Sequence, residues 1–173
     1  MLGIDPGTRV VGYGVIDVLA AGIRYIECGV LRVDPAEAMA RRLRLIADGI
    51  AEVIDEHRPT VVALESAFHG VNAMSALKLG LARGAVMVTA ARVDLEVVEY
   101  PPALVKKAIV GHGRATKQEI QARVRAICQL HREPSSDAAD ALAIAICHGH
   151  TGAAPTVRPT TRRAPRPGGP KDR

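Results

Sequence analysis

Four carboxylates in this 173-residue chain stand where an ionised side chain needs a reason. Asp5 ends the apolar opening MLGI and is followed at once by Pro6-Gly7-Thr8. Glu65 follows the apolar run VVAL, with no cationic side chain close by in sequence. Asp137 and Asp140 lie three apart at the start of DAADALAIAICH, so on a helix they share a face. Buried unpaired carboxylates are costly, whereas a divalent cation resolves the repulsion among several of them. An oxygen-only donor set suits Mg²⁺ or Mn²⁺ over zinc or copper. Hard ions held this way serve phosphoryl chemistry, in which two ions about 3.5–4 Å apart activate water and stabilise the leaving oxygen. Plainer accounts exist for two of the four. Asp5 could merely form a turn before Pro6, or Asp-Pro-Gly-Thr could wrap a nucleotide phosphate. Asp137, in the first turn of its helix, could simply complement the macrodipole for about 0.3–1 kcal/mol. Glu65 is the hardest to explain without a ligand.

The acids require elements that bring them together. Strand-like segments come first, at Leu2–Asp5, Val10–Val18 and Ile23–Val33, with turns short enough for an antiparallel meander. Asp34-Pro35 predicts a helix N-cap and first position. Met39, Leu43, Ile46, Ile50, Val53 and Ile54 then recur at three- and four-residue steps, which predicts a helix with one buried face. Thr60–Leu64 suits a buried central strand ending at Glu65. Asn72 predicts the cap of a helix reaching Ala90, and Val93–Tyr100 a further strand. Pro101-Pro102 starts a short helix to Val110, and Thr116 with Glu119 forms a capping box. The last helix is expected from Ser135 or Ser136 to His148. This order predicts an α/β fold with a mixed five-stranded sheet, its first three strands antiparallel and the later ones joined through helices. Parallel neighbours ending in Asp5 and Glu65 would present both acids at one carboxyl edge, where open α/β sheets place their sites.

Composition narrows the classes. The length suits one well-cored domain, expected over residues 1–150. Residues 151–173, rich in Pro, Gly, Thr and Arg, read as a disordered basic tail. That tail carries the whole net charge of +5, because residues 1–150 hold 17 basic and 17 acidic side chains. Its uses divide between solubility and non-specific attraction to nucleic acid. Inside the folded part charge is uneven: from Lys106 to Arg132 seven cations face the single acid Glu119. One basic stripe beside isolated acids fits a polyanionic substrate and metal ions. No uncharged run approaches the ~18 residues of a membrane span. Asp5 sits where a signal peptide needs a basic stretch and an apolar core. Three widely spaced cysteines argue against a disulfide framework and suit a reducing cytoplasm. Cys147, His148 and His150 lack a second ligand pair at zinc spacing.

GIDPGTRVVGYGVI, ALESAF with the following NAMSALKLGLARG, VKKAIVGHGRATK and DAADALAIAICH, in that order, resemble successive blocks of the RuvC family of bacterial Holliday-junction resolvases. The resemblance covers nearly all of residues 1–150. It implies a ribonuclease H-like fold and a homodimer acting on four-way DNA junctions. The expected activity is a pair of symmetric nicks leaving 5′-phosphate and 3′-hydroxyl ends. Asp5, Glu65, Asp137 and Asp140 match the family's catalytic acids, and two Mg²⁺ ions per site are implied, with Mn²⁺ an alternative. Relatives carry about two more residues ahead of GIDPG, so the first strand is expected short against a norm of ~5.

The same resemblance places Lys106 and Lys117 near the scissile phosphate. Lys107 and Arg114 would extend the phosphate surface, and Arg123 and Arg125 could as well be a solvated helix face. Phe68, the only phenylalanine, matches an aromatic that stacks on bases of the opened junction, an interaction of ~1–3 kcal/mol per base. Ala76, Gly80 and Gly84 form a small-residue stripe; by resemblance their helix lies at the dimer interface. Association with the branch-migration proteins RuvA and RuvB is implied by family alone. Two rivals remain at this level: a junction-binding protein without catalysis, and an actin-like phosphate-loop ATPase. The second would need two lobes, and loss of one of the four acids would have suggested the first.

Overall fold

The computed structural model describes residues 1–66 and 73–151. Five strands, β1 (Leu2–Asp5), β2 (Val10–Leu19), β3 (Gly22–Arg32), β4 (Val61–Glu65) and β5 (Glu96–Tyr100), form one sheet in the order β3-β2-β1-β4-β5. The pairs β1–β2 and β2–β3 are antiparallel, and β1–β4 and β4–β5 are parallel. The helices are α1 (Met39–His57), α2 (Ala73–Ala91), α3 (Pro102–Val110), α4 (Lys117–Ile127) and α5 (Ser136–Thr151). The mixed sheet expected from the order of segments is present, and β1 is four residues long.

Two cores lie on opposite faces of the sheet. Leu2, Ile4, Val62 and Leu64 face α1 and α2, while Ala63 and Ile16 join α3, α4 and α5 on the other side. Of the ten residues from Ala138 to Cys147, only Asp140 is not buried. A helix apolar on every side belongs inside, and α5 lies between the sheet and the pair α3 and α4. Its fully covered Leu142, Ile144 and Ile146 each contribute about 1.5–3 kcal/mol of burial.

The approach of α5 depends on glycine. A Cβ at Gly12 would lie 2.0 Å from the Asp137 carbonyl oxygen, and one at Gly3 would lie 2.2 Å from that of Ala141. Backbone therefore rests nearly on backbone, with the alanines of α5 completing the fit. This contact carries Asp137 and Asp140 down to the sheet.

The starts of α1 and β5 differ from expectation. Asp34-Pro35 does not begin α1. The Asp34 carboxylate accepts from Ala36 N–H at 2.8 Å and its carbonyl from Glu37 N–H at 3.2 Å, closing a separate turn. Ala38 then has an extended ψ of 143°, so helical geometry starts at Met39. β5 begins at Glu96 because α2 ends in a turn through Asp94, whose φ is +56°. The predicted Asn72 cap lies outside the described residues, as do Phe68 and residues 152–173. The capping box of α4 is present: Glu119 N–H donates to Thr116 Oγ1, and Thr116 N–H donates back to Glu119.

α2 alone among the described helices is long and apolar enough, by length and composition, to cross a membrane. Its inner face packs on α1 and β5. Every residue from Ala73 to Leu81 except Leu79 is exposed, and Gly80 and Gly84 open onto free space.

Candidate active site

Strand alternation decides where the acids point. In β1, Leu2 and Ile4 turn toward α1 and α2, so Gly3 and Asp5 turn toward α5. In β4, Val62 and Leu64 do the same, which turns Ala63 and Glu65 toward α5. The register Ile4↔Leu64 places Asp5 beside Glu65 at the carboxyl edge of two parallel strands. α5 brings Asp140 against them. Asp5, Glu65 and Asp140 line one cleft of about 220 Å³ with Lys106 from α3 and Lys117 from α4. Asp137 is not on the lining, yet it lies close enough to raise both Asp5 and Asp140.

The acids sense one another. Burial first, then the charges of Asp140, Glu65 and Asp137, push the Asp5 carboxyl up to about 7, against an opposing pull from Lys117. Glu65 is raised by burial and by Asp140, and lowered in part by Lys106 and Arg83. Asp140 is raised by burial, with Lys117 the main opposing influence. The Lys117 ammonium lies 3.3 Å from Asp140 Oδ2. Two lysines thus leave a surplus of negative charge among hard oxygen donors, and that donor set fits divalent cations of the Mg²⁺ class.

Lys107 and Arg114 are exposed and do not line the cleft. Arg125 serves the fold, donating to the carbonyls of Leu130 and His131 at 3.3 and 3.4 Å. Cys147 is fully buried, and His148 Nδ1 lies 2.6 Å from Tyr100 Oη, so both side chains are engaged within the fold. A separate group, Glu27, Glu56 and His57, has its ligand atoms within 4.8 Å of one another and joins the end of α1 to β3. There His57 Nε2 is 3.0 Å from Glu27 Oε2, and the Tyr13 hydroxyl donates to Glu27 Oε1 at 2.7 Å.

Two buried arginines escape a motif-based reading. Arg42 of α1 donates twice to the carbonyl of Thr8, in the turn that follows Asp5. Arg83 of α2 donates to the carbonyl of Glu65 and to Glu99 Oε1. Each occupies the apolar stripe of its helix, beside Ile46 or Val86. A cation on a buried stripe is the signal that marks them.

An antiparallel three-stranded start, two parallel strands ending in acids, and a helix delivering two more acids define a nuclease of the ribonuclease H-like fold. The family model described as crossover junction endodeoxyribonuclease RuvC matches residues 1–148, and the chain belongs to that family. The Crossover junction endodeoxyribonuclease RuvC of Halorhodospira halophila is 49% identical over 161 residues, covering 93% of this chain and 96% of the relative. That of Photobacterium profundum is 48% identical, covering 87% of each. The solved structure of Thermus thermophilus RuvC in complex with Holliday junction substrate superposes with a TM-score of 0.80 at 40% identity, covering 85% of this chain and 90% of that one. The yeast mitochondrial Holliday junction resolvase Ydc2, at 11% identity and a TM-score of 0.62, shares the fold.

Proposed function

We propose that this chain resolves four-way DNA junctions by paired symmetric nicks, in recombination and repair, with Asp5, Glu65, Asp137 and Asp140 as the metal-holding acids. The observation that carries the reading is the gathering of Asp5, Glu65 and Asp140 with Lys106 and Lys117 around one cleft at the sheet's carboxyl edge. Asp5 stands at the centre of the set, since all three other acids act on it. Bound there, two Mg²⁺ ions, or Mn²⁺ in their place, supply Lewis-acid activation of the attacking water and stabilisation of the leaving 3′-oxygen.

The chain's own groups do the rest. The acids fix the site's geometry before substrate arrives, because α5 and the two strands are rigid elements. Lys117 and Lys106 hold positive charge at the rim, where a scissile phosphate approaching the acids needs it. Lys107 and Arg114 add phosphate contacts, which give salt-dependent affinity without sequence preference. Phe68 follows Glu65 by three residues and stacks on unpaired bases at the junction centre. Breaking P–O3′ by in-line attack of water leaves the 5′-phosphate and 3′-hydroxyl that a ligase rejoins.

The homodimer forms through α2. Its outer face presents Met74, Leu77, Leu81 and the open Gly80, an apolar surface of the kind that subunit contacts cover. Two-fold symmetry then offers two sites to a two-fold junction. The protein acts in the cytoplasm alongside RuvA and RuvB, and the basic tail adds non-specific attraction to DNA.

The test is a synthetic four-way junction with Mg²⁺, beside linear duplex and fork controls. Paired symmetric nicks confined to the junction are expected. Asp137→Asn should abolish cutting while the junction still binds; parental cutting by that variant would remove Asp137 from the site. Phe68→Ala should weaken productive engagement, and unchanged cleavage would return Phe68 to a packing role.

A further inference from the structure

Arg83 is one of three polar or charged residues buried among the described residues, the others being Arg42 and Thr89. It stands on α2, behind the sheet as seen from the acid carboxylates. Nη1 donates to the backbone carbonyl of Glu65, and Nη2 donates to Glu99 Oε1 at 2.6 Å. Glu99 pairs with Leu64 across β4–β5, so its side chain turns to the same rear face as that leucine.

On the side of β5, Glu65 is the last paired residue of the ladder, opposite Tyr100, and Ser66 N–H donates to the Tyr100 carbonyl at 2.8 Å. On the side of β1, Pro6 follows Asp5 and has no N–H to donate. A planar guanidinium with two acceptors in fixed directions removes the freedom that remains. A buried cation is poor value for stability alone, since an apolar side chain of similar volume serves as well or better. Its use lies in position.

We infer that Arg83 is a positioning residue: the Arg83–Glu99 pair holds the main chain of Glu65 so that its carboxylate is presented to metal at the opposite face. This rests on the reading of Glu65 as a metal-holding acid. The same arrangement makes α2, whose outer side is the proposed dimer contact, the rear support of the site.

The experiment compares Arg83→Met, Arg83→Lys and Glu99→Gln with the parent protein. Four quantities are read: Mn²⁺ binding to the DNA-free protein by calorimetry, the half-saturating Mn²⁺ concentration for junction cleavage, junction affinity without divalent metal, and the thermal midpoint. In Arg83→Met, Mn²⁺ binding should weaken and half-saturation rise by about 10-fold, the range expected for a residue behind a metal ligand, with metal-free junction affinity within about twofold. Arg83→Lys cannot reach both acceptors and should fall between that variant and the parent. Glu99→Gln keeps the bond to Glu65 and should shift half-saturation by about threefold or less. A lower thermal midpoint with unchanged metal dependence would overturn the inference and make Arg83 a packing residue. Should Arg83→Met fail to fold, unchanged metal dependence in both remaining variants overturns it equally. Glu65→Gln separates the two ideas. If it cuts normally, the role of Glu65 fails; if it is inactive while the Arg83 variants match the parent, the inference alone fails.

Discussion

Lys117 Nζ lies 3.3 Å from Asp140 Oδ2, joining the first residue of α4 to the acid of α5 at the rim of the cleft. The lysine is 58% exposed and the acid 33%, so the pair adds about 0–1 kcal/mol to the fold. Its weight falls on the site instead, because Lys117 is the main influence opposing the upward push on Asp140. Lys117→Met should therefore leave the thermal midpoint nearly unmoved and reduce junction cleavage by about 100-fold, the scale of one lost transition-state donor. Single-turnover cleavage with a parallel binding assay checks it. A loss confined to binding would make Lys117 a phosphate anchor only.

The raised Asp5 carboxyl makes a prediction about stability. Its ordinary value is near 3.8 and its folded value about 7, so the native state binds the extra proton between those limits. Stability of the metal-free protein must then fall as pH rises from about 4 to about 7 and level off above. Glu65 and Asp140 shift in the same direction and deepen the fall. Asp5→Asn removes the largest contribution. In EDTA it should melt higher than the parent at pH 8, with the difference shrinking toward pH 4, and it should not cut. Added Mn²⁺ should raise the parent's midpoint at pH 8 and leave the variant's almost unchanged. Equal melting of the two proteins across the whole range would refute the crowding of negative charge at Asp5.

Much of this site was legible because its residues break local rules. Glu65 after VVAL and Asp5 before Pro6 are carboxylates at the ends of buried strands, and alternation alone turns them to one face. Asp137 and Asp140 were marked by their spacing, and the α4 cap by Thr116 and Glu119. What stayed hidden depends on contacts between distant segments. No local pattern says that Arg42 and Arg83 point back at the carbonyls of Thr8 and Glu65. Nor does spacing say that Asp137 falls just off the cleft that Asp140 lines. The start of α1 was misplaced because Asp34-Pro35 satisfies its own turn before the helix begins, a choice between two local hydrogen-bond patterns that both suit Asp-Pro.

Gly12 tests how closely the site depends on the approach of α5. A methyl group there would meet the Asp137 carbonyl at 2.0 Å, and backbone cannot swing aside as a side chain can. Gly12→Ala should cost about 3 kcal/mol, at the upper end of overpacking, which lowers the midpoint by about 6 °C or more. Displacing Asp137 and Asp140 should reduce cleavage even well below the melting temperature. Gly80→Ala is the control, since nothing lies within 4 Å of a Cβ at that position and α2 gains helix propensity. Its monomer stability should be unchanged or slightly improved. Equal midpoints for Gly12→Ala and the parent would mean that α5 can sit farther from the sheet.

The outer face of α2 carries the last expectation. Met74 is 58% exposed and Leu77 59%, on the first turns of a helix whose inner half packs against α1 and β5. Water against so much apolar surface is unfavourable by about 25 cal/mol per Å², and a second copy meeting it through the open Gly80 would remove that cost. Leu77→Asp places a charge at the centre of that contact. Sedimentation should show a dimer for the parent and a monomer for the variant at the same micromolar concentration, with little change in far-ultraviolet circular dichroism. Each acid site is built within a single chain, so the monomer retains its metal set. What it loses is simultaneity. On a junction held in a cruciform plasmid, the parent should release linear product from paired nicks within one binding event. Leu77→Asp should accumulate singly nicked circles instead. A variant that stays dimeric would move the contact away from α2, and a monomer that still linearises the plasmid in one event would show that pairing of the nicks does not need the dimer.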